Sequence, residues 1–383
     1  MSMKFLFRYS VWLLSLSVSV RCPAQQVAIT RADFEVPSGN IFGAALSRDS
    51  TTFYAQQYLI GNDVGLPNRN VVISSWDTKQ KVMLTSRLVP ELEHEHTTPC
   101  RRTLIGEVSG HLYRCSGRTS ITVLDGVSLA TIRSVPTHAG GAIRDYAIDE
   151  LHNRLYLVED HNRGISSLEI LALDTGALIR EAVLPEAELA YRPLIYRPSN
   201  AVLAVAFTRI GGWMEKTDII FYDGLTLQIL KRVNDLPRID DFAFLGSTLL
   251  AAPGYMGYKR EKCILSIDPQ TAKVDKEFCS PETGVDFSLA TVSNTFLVAG
   301  TGVNRPGLFS EFVKSVSSSL SIWSIETHRL LSKVTLPQEF TSSMAGFTVV
   351  GSAGGCFVAY QSAGDYPTVI NACIANQKAT SRK

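Results

Sequence analysis

The sequence is short of nearly everything that announces a reaction. It has no G-x-S-x-G nucleophile elbow, no P-loop, no G-x-G-x-x-G turn and no H-E-x-x-H helix, so serine-hydrolase, nucleotide and zincin chemistry lack their usual carriers. Neither C-x-x-C nor a Cys/His spacing suggests structural zinc. Basic residues number 37 against 36 acidic and nowhere cluster. Phosphate backbones and anionic lipids demand such clusters, which argues against nucleic acid as a partner. Helical periodicity is almost missing, LFSEFVKSVSS (Leu308 to Ser318) being the one candidate helix. There is no N-x-S/T sequon, which favours a bacterial envelope over a eukaryotic secretory route.

What is present begins with a leader. In MSMKFLFRYSVWLLSLSVSVRCPAQQ, Lys4 and Arg8 precede an apolar run from Val11 to Val20, and Cys22 and Ala24 place small residues at a cleavage site. That is the pattern of a secretory signal peptide. Residues 1–24 are expected to be removed, leaving 25–383 as a single exported domain, periplasmic or extracellular. Cys22 does not sit in a lipobox, because Arg21 stands where a small residue is needed. A membrane span needs about 20 apolar residues; the leader's run is shorter, and no later run suffices. Cleavage removes three basic residues and no acid, so the mature chain turns slightly acidic.

Six of the seven cysteines follow Cys22. They form three close pairs, Cys100 with Cys115, Cys263 with Cys279, and Cys356 with Cys373. An even count in an exported chain reads as disulfides, and closing a loop of about 15 residues is worth about 3 kcal/mol.

One unit recurs along the chain: an apolar strand, a tight turn opening with an acidic residue, and a second strand. SITVLDGVSLATIRSV, LEILALDTGALIREAVL and DIIFYDGLTLQILKRV are three of its six copies. The turn acids are Asp77, Asp125, Asp174, Asp223, Asp268 and Glu326; an acid here accepts a hydrogen bond from the backbone two residues on. Two further apolar runs precede each hairpin, for example DYAID and RLYLVED, giving four strands a, b, c and d per unit. Four-stranded units at a period in the forties are propeller blades. A seventh unit begins near Met344 and ends one strand short, and VAITRADFEV (Val27 to Val36) can supply the missing strand. The predicted fold is all-β: a seven-bladed β-propeller closed by the N-terminal strand pairing into the last blade, which hides both sheet edges. Each cysteine pair is centred on one hairpin turn, a–b in blade two, c–d in blade five and b–c in blade seven. Directly opposed strand residues lie within disulfide reach, so the bridges are expected inside blades.

HNRLYLVEDHNRGISSLEILALDTGALI (His152 to Ile179) resembles the repeats of the YVTN and WD-repeat-like seven-bladed propeller superfamily, in which an "LYV" strand is followed by a loop and "V-x-V-I-D-x-x-T". The resemblance runs through the mature chain and is clearest in blades three to six. It implies the propeller fold; relatives by fold include binding proteins, lactonases and propeller subunits of amine dehydrogenases. The Trp-Asp dipeptide occurs as Trp76-Asp77, but the Gly-His and buried Asp/His/Ser network of true WD repeats is not recognisable.

The d–a and b–c loops converge at one mouth of a propeller's channel. Aligning blades on Asn153, Asn200 and Asn294 puts Asp145, Arg192 and Asp286 at one level, with Asp241 matching less strictly. These four, with Trp213, Tyr255, Tyr258 and Phe309 as stacking surface, form the candidate binding mouth. The same acids could instead cap backbone or pair with Arg144, Arg192 or Arg238. A second constellation, His94, Glu95, His96, His138, Asp160 and His161, offers imidazole and carboxylate ligands of the kind zinc or manganese takes; His94 and His96 could equally lie in a solvated acidic linker. The leading expectation is a non-enzymatic exported scaffold, monomeric and without cofactor, that binds a protein, peptide or glycan. The alternatives are a metal-dependent hydrolase, lactonase or lyase, and a propeller subunit of an exported dehydrogenase.

Overall fold

The computed structural model describes residues 27–31, 33–36, 40–58, 71–89, 102–116, 119–137, 141–161, 166–184, 194–211, 214–253, 263–279, 285–293, 295–305, 314–335, 347–352, 354–361 and 368–376. Seven antiparallel sheets follow one another along the chain. Strands a to d are Asn40–Leu46, Thr52–Tyr58, Val71–Asp77 and Val82–Val89 in blade one; Thr103–Ile105, Leu112–Ser116, Ser120–Leu124 and Thr131–Pro136 in blade two; Ala142–Asp149, Arg154–Asp160, Ser166–Ala172 and Leu178–Val183 in blade three. Blade four has Leu194–Arg197, Val202–Gly211, Met214–Asp223 and Ile229–Pro237; blade five Ile239–Leu245, Thr248–Pro253, Cys263–Ile267 and Val274–Cys279; blade six Val285–Val292, Phe296–Arg305, Lys314–Ser324 and Leu330–Thr335. Blade seven takes strands a, b and c from Phe347–Gly351, Cys356–Gln361 and Thr368–Asn376. The chain is a seven-bladed β-propeller.

Its closure is the expected one, in two pieces. Val27–Arg31 pairs antiparallel with the last strand from Val27 opposite Asn376 to Arg31 opposite Ala372, and Phe34–Glu35 rejoins it opposite Val369 and Thr368. Arg31 pairs with Asp33 at the break.

Strands b and c are apolar on both faces because each blade is sandwiched between two others. An apolar cluster fills each of the seven junctions. Between blades two and three it includes Tyr113, Ile121, Tyr146, Leu155 and Leu157, and between seven and one Ile41, Phe53, Trp76, Val358 and Val369. Strand d turns outward to water, as in Val82–Val89, almost wholly exposed.

Cys263 lies opposite Cys279 and Cys356 opposite Cys373, and both pairs are disulfide-bonded within their blades. Cys115 is also disulfide-bonded; Cys100, its expected partner, lies outside the described residues.

The candidate helix is corrected in its second half. Lys314 to Ser318 belong to strand c of blade six, where Ser317 lies opposite Val303 and Lys314 opposite Arg305. The run continues unbroken into the apolar SLSIWS, and strand b extends to Arg305 to pair with it, so inter-strand bonding wins over a weak local helical pattern. Among the described residues no helix is long and apolar enough to cross a membrane.

Candidate functional site

In an antiparallel propeller the a–b and c–d turns emerge on one face, and the b–c and d–a connections on the other. The first face is built from short, satisfied turns. Asp77, Asp125, Asp223 and Asp268 each accept backbone N–H groups two and three residues on. Each such turn then closes on a left-handed residue, Lys81, Leu129, Leu227 or Ala272, whose N–H returns to the acid's carbonyl. Two of the expected acids are displaced. In blade three the turn runs from Ala172 to left-handed Gly176, and in blade six Ser324 caps Thr327 before left-handed His328. Asp174 and Glu326 therefore stand two places past the turn's first residue. The opposite face carries the long connections, between Tyr58 and Val71, Val89 and Thr103, Val183 and Leu194, Pro253 and Cys263, and Thr335 and Phe347.

Strands a of neighbouring blades lie side by side and form the channel wall. Register fixes which residues share a level on it. Thr103, Tyr146, Leu194, Phe242, Leu289 and Val349 pair with equivalent strand-b residues, and Arg102, Asp145, Asp241, Ser288 and Thr348 each stand one place earlier. Asp241 is thus the strict equivalent of Asp145, both following a bulge, whereas blade six has no bulge and puts Ser288, not Asp286, at this level. Arg102 is the member that sequence comparison missed, because its blade has the shortest strand a and offers no apolar run to align on.

These groups stitch blades together. Asp145 accepts from the Leu194 N–H at 2.7 Å and from Arg102 at 3.0 Å, and Arg102 also donates to the Leu194 carbonyl, spanning blades two to four. Asp241 accepts from the Leu289 N–H at 2.9 Å and the Phe242 N–H at 2.8 Å, and the Val349 N–H donates to Ser288 Oγ at 3.0 Å. Burial raises the Asp145 and Asp241 carboxyls above the usual range, opposed at Asp145 first by Arg102 and at Asp241 first by the Leu289 N–H. Burial also works against the Arg102 charge, but the two aspartates outweigh it and hold the guanidinium above its ordinary value. The arrangement gives the channel a compensated charge pair, with the Arg102 side chain 29% exposed and that of Asp145 13%. Arg192, Trp213, Tyr255, Tyr258 and Phe309 lie outside the described residues, as does the Asp286 side chain.

Of the histidine constellation, His94, Glu95, His96 and His138 also lie outside them. Asp160 is engaged by Arg144 and by the Ser166 hydroxyl. His161 instead meets two residues that sequence reading passed over, Glu159 and Glu169. A ligand atom from each of the three lies within 4.8 Å of the others. Both glutamates are fully buried. His161 Nε2 is 2.8 Å from Ser167 Oγ, which donates to Glu169 Oε1 at 3.1 Å. Burial and then the Glu159 charge push Glu169 upward. The only sequence signal was the interruption of apolar strands by glutamate in RLYLVED and SSLEILA.

No family model matches the chain, and no curated protein matches it. Among solved structures it resembles the β-propeller domain of Cps50 (Swd1) from Myceliophteria thermophila, with a TM-score of 0.56 at 13% identity, over 90% of this chain and 99% of that one. At that identity the likeness speaks to fold alone.

Proposed function

We propose that this protein is an exported binding scaffold that engages a protein, peptide or glycan on the face carrying its b–c and d–a connections. The observation behind this reading is the asymmetry of the two faces. One is closed by turns whose polar groups satisfy one another; the other carries every long connection on a rigid ring. Tyr255, Tyr258 and Phe309 fall in b–c connections of that face and Trp213 in the two-residue b–c turn of blade four, and aromatic anchors dominate binding energy where they fill a partner's pockets. Asp145 and Asp241 contribute as the scaffold of the mouth, since their oxygens already hold neighbouring blades. The leader pattern and the intrablade disulfides support export.

The test is an array screen of the mature chain against peptides and glycans, followed by affinity measurement with the strongest probe. Trp213→Ala, Tyr255→Ala and Tyr258→Ala, made singly and together, are expected to weaken that probe about 30-fold for each anchor that contacts it, at about 2 kcal/mol per lost anchor. Combined Lys79→Ala and Leu225→Ala on the opposite face should leave it unchanged. The reading fails if the opposite-face variant is the one that loses binding. It also fails if no array probe binds while the purified chain turns over an ester or lactone panel.

A further inference from the structure

Blade three breaks the pattern of its own repeat at one place. The strand-c residue paired with the Leu157 level is Ser74, Thr122, Ile220, Leu265, Ser321 or Ile370 in the other six blades. In blade three it is Glu169. One step outward on strand b, where blade four buries Phe207, blade three buries Glu159. Two carboxylates thus share the face that packs against blade two, Glu169 at the level of Leu157 and Glu159 one step beyond it.

Both oxygens of Glu159 and Oε2 of Glu169 are buried with no hydrogen-bond partner among the described residues. No basic side chain is among the strongest influences on Glu169, which are burial, Glu159, Ser167 and Glu181. Burying one uncompensated carboxylate costs several kcal/mol, and two close together more. A dication bound between them would cancel that charge.

The third group is already oriented. Ser167 donates its hydroxyl proton to Glu169, so it accepts from His161, and the Nε2–H of His161 faces it. That tautomer leaves the Nδ1 lone pair free to act as a ligand, the way outer groups fix metal-binding histidines. Space for it comes from Gly141. A Cβ there would lie 2.9 Å from His161 Nδ1, 3.1 Å from Glu159 Cγ and 2.7 Å from the Asp160 carbonyl.

We propose that Glu159, Glu169 and His161 form a binding site for one divalent transition-metal cation of the zinc or manganese class, set between blades two and three at the end of the long connections. Two carboxylates and one imidazole match the ligand preference of those ions and leave a coordination position open. The site shares no residue with the Arg102–Asp145 pair and does not depend on the scaffold reading.

The mature chain, stripped by chelator, is titrated with zinc chloride and then manganese chloride by calorimetry, with thermal melts in parallel. One equivalent is expected to bind at micromolar or tighter affinity and to raise the melting temperature. Glu159→Gln and Glu169→Gln should each weaken binding about 100-fold or more, beyond the 10–100-fold typical of outer-sphere changes. His161→Ala, a half-buried change that spares the core, should weaken it similarly. Combined His94→Ala and His96→Ala should leave it intact. The proposal is overturned if the wild-type chain binds neither ion in the micromolar range, if both glutamine variants bind as well as wild type, or if binding is lost in the His94/His96 variant instead. A chain indifferent to metal, with Glu169→Gln melting higher than wild type, would show that the two carboxylates share a proton and would also overturn it.

Discussion

Asp241 shows what a channel-wall acid does. Two backbone N–H groups converge on it, from Leu289 and Phe242, while burial holds its carboxyl above the normal range. At pH 7 its charge is therefore a cost and its acceptor capacity the benefit. Asp241→Asn drops the charge and keeps one acceptor for the Leu289 N–H, but loses the second oxygen that faces the Phe242 N–H, and is expected to destabilise less than alanine in a denaturant melt. Asp241→Ala leaves the Leu289 N–H buried without a partner, at about 1–3 kcal/mol. Equal losses from both substitutions would mean that the charge itself holds the blades. On the far face, Lys81 is exposed and left-handed at φ 61°. A side chain there costs on the order of 1 kcal/mol that glycine avoids, so Lys81→Gly should raise stability by up to about 1 kcal/mol and Lys81→Val lower it. Four of the six turn acids, Asp77, Asp125, Asp223 and Asp268, were legible in the sequence because their hydrogen bonds are local, spanning two or three residues. Arg102 was not, because its partners lie in blades distant in sequence, and Glu159 was not, because only the pairing of strands b and c brings it to Glu169.

At the scale of elements, the closing strand is legible from counting, since a repeat of four that ends on three must borrow one. Its two-piece form was not, because the Arg31–Asp33 pair resembles any polar turn until the register is known. Removing residues 25–31 would expose the outer edge of Thr368–Asn376 and uncover Ile29, which packs against the cluster between blades six and seven. Unpaired edges invite association with other strands. The truncated chain is expected to melt several degrees lower and to form concentration-dependent oligomers on a sizing column; an unchanged melt and a monomeric profile would mean that Phe34–Glu35 alone suffices. The misread helix teaches the converse. Residues 314–318 carry serine, valine and lysine in no decisive period, and a long partner strand decided their state.

For the whole molecule, the ring sorts its carboxyl groups into two populations that pull stability in opposite directions with pH. Hydrogen bonds in the turns hold Asp49, Asp125, Asp223 and Asp268 below their ordinary range, outweighing burial where it opposes them. Glu150 belongs with them: burial would raise it, but it accepts from Ser109, from the Val108 and Ser109 N–H groups and from the Tyr113 hydroxyl, joining blades three and two. The stability these groups give is present above their unfolded pKa near 4 and is lost as pH falls through their lower folded values. Burial raises Asp145, Asp241 and Glu169, so between their unfolded and folded pKa values the native state binds more protons than the unfolded chain. Stability from these groups rises as pH drops from neutral. The metal-free chain is therefore expected to be most stable in mildly acidic solution and weaker both at neutral pH and below about pH 4. Glu169→Gln should reduce the acidic gain to the share from Asp145 and Asp241 without moving the low-pH loss. A cation held by Glu159, Glu169 and His161 reverses the first slope, because protons then compete with the metal for the same atoms. Melts from pH 3 to pH 8 with and without added zinc check this, and parallel profiles in the two series would count against both the charge sorting and the metal site.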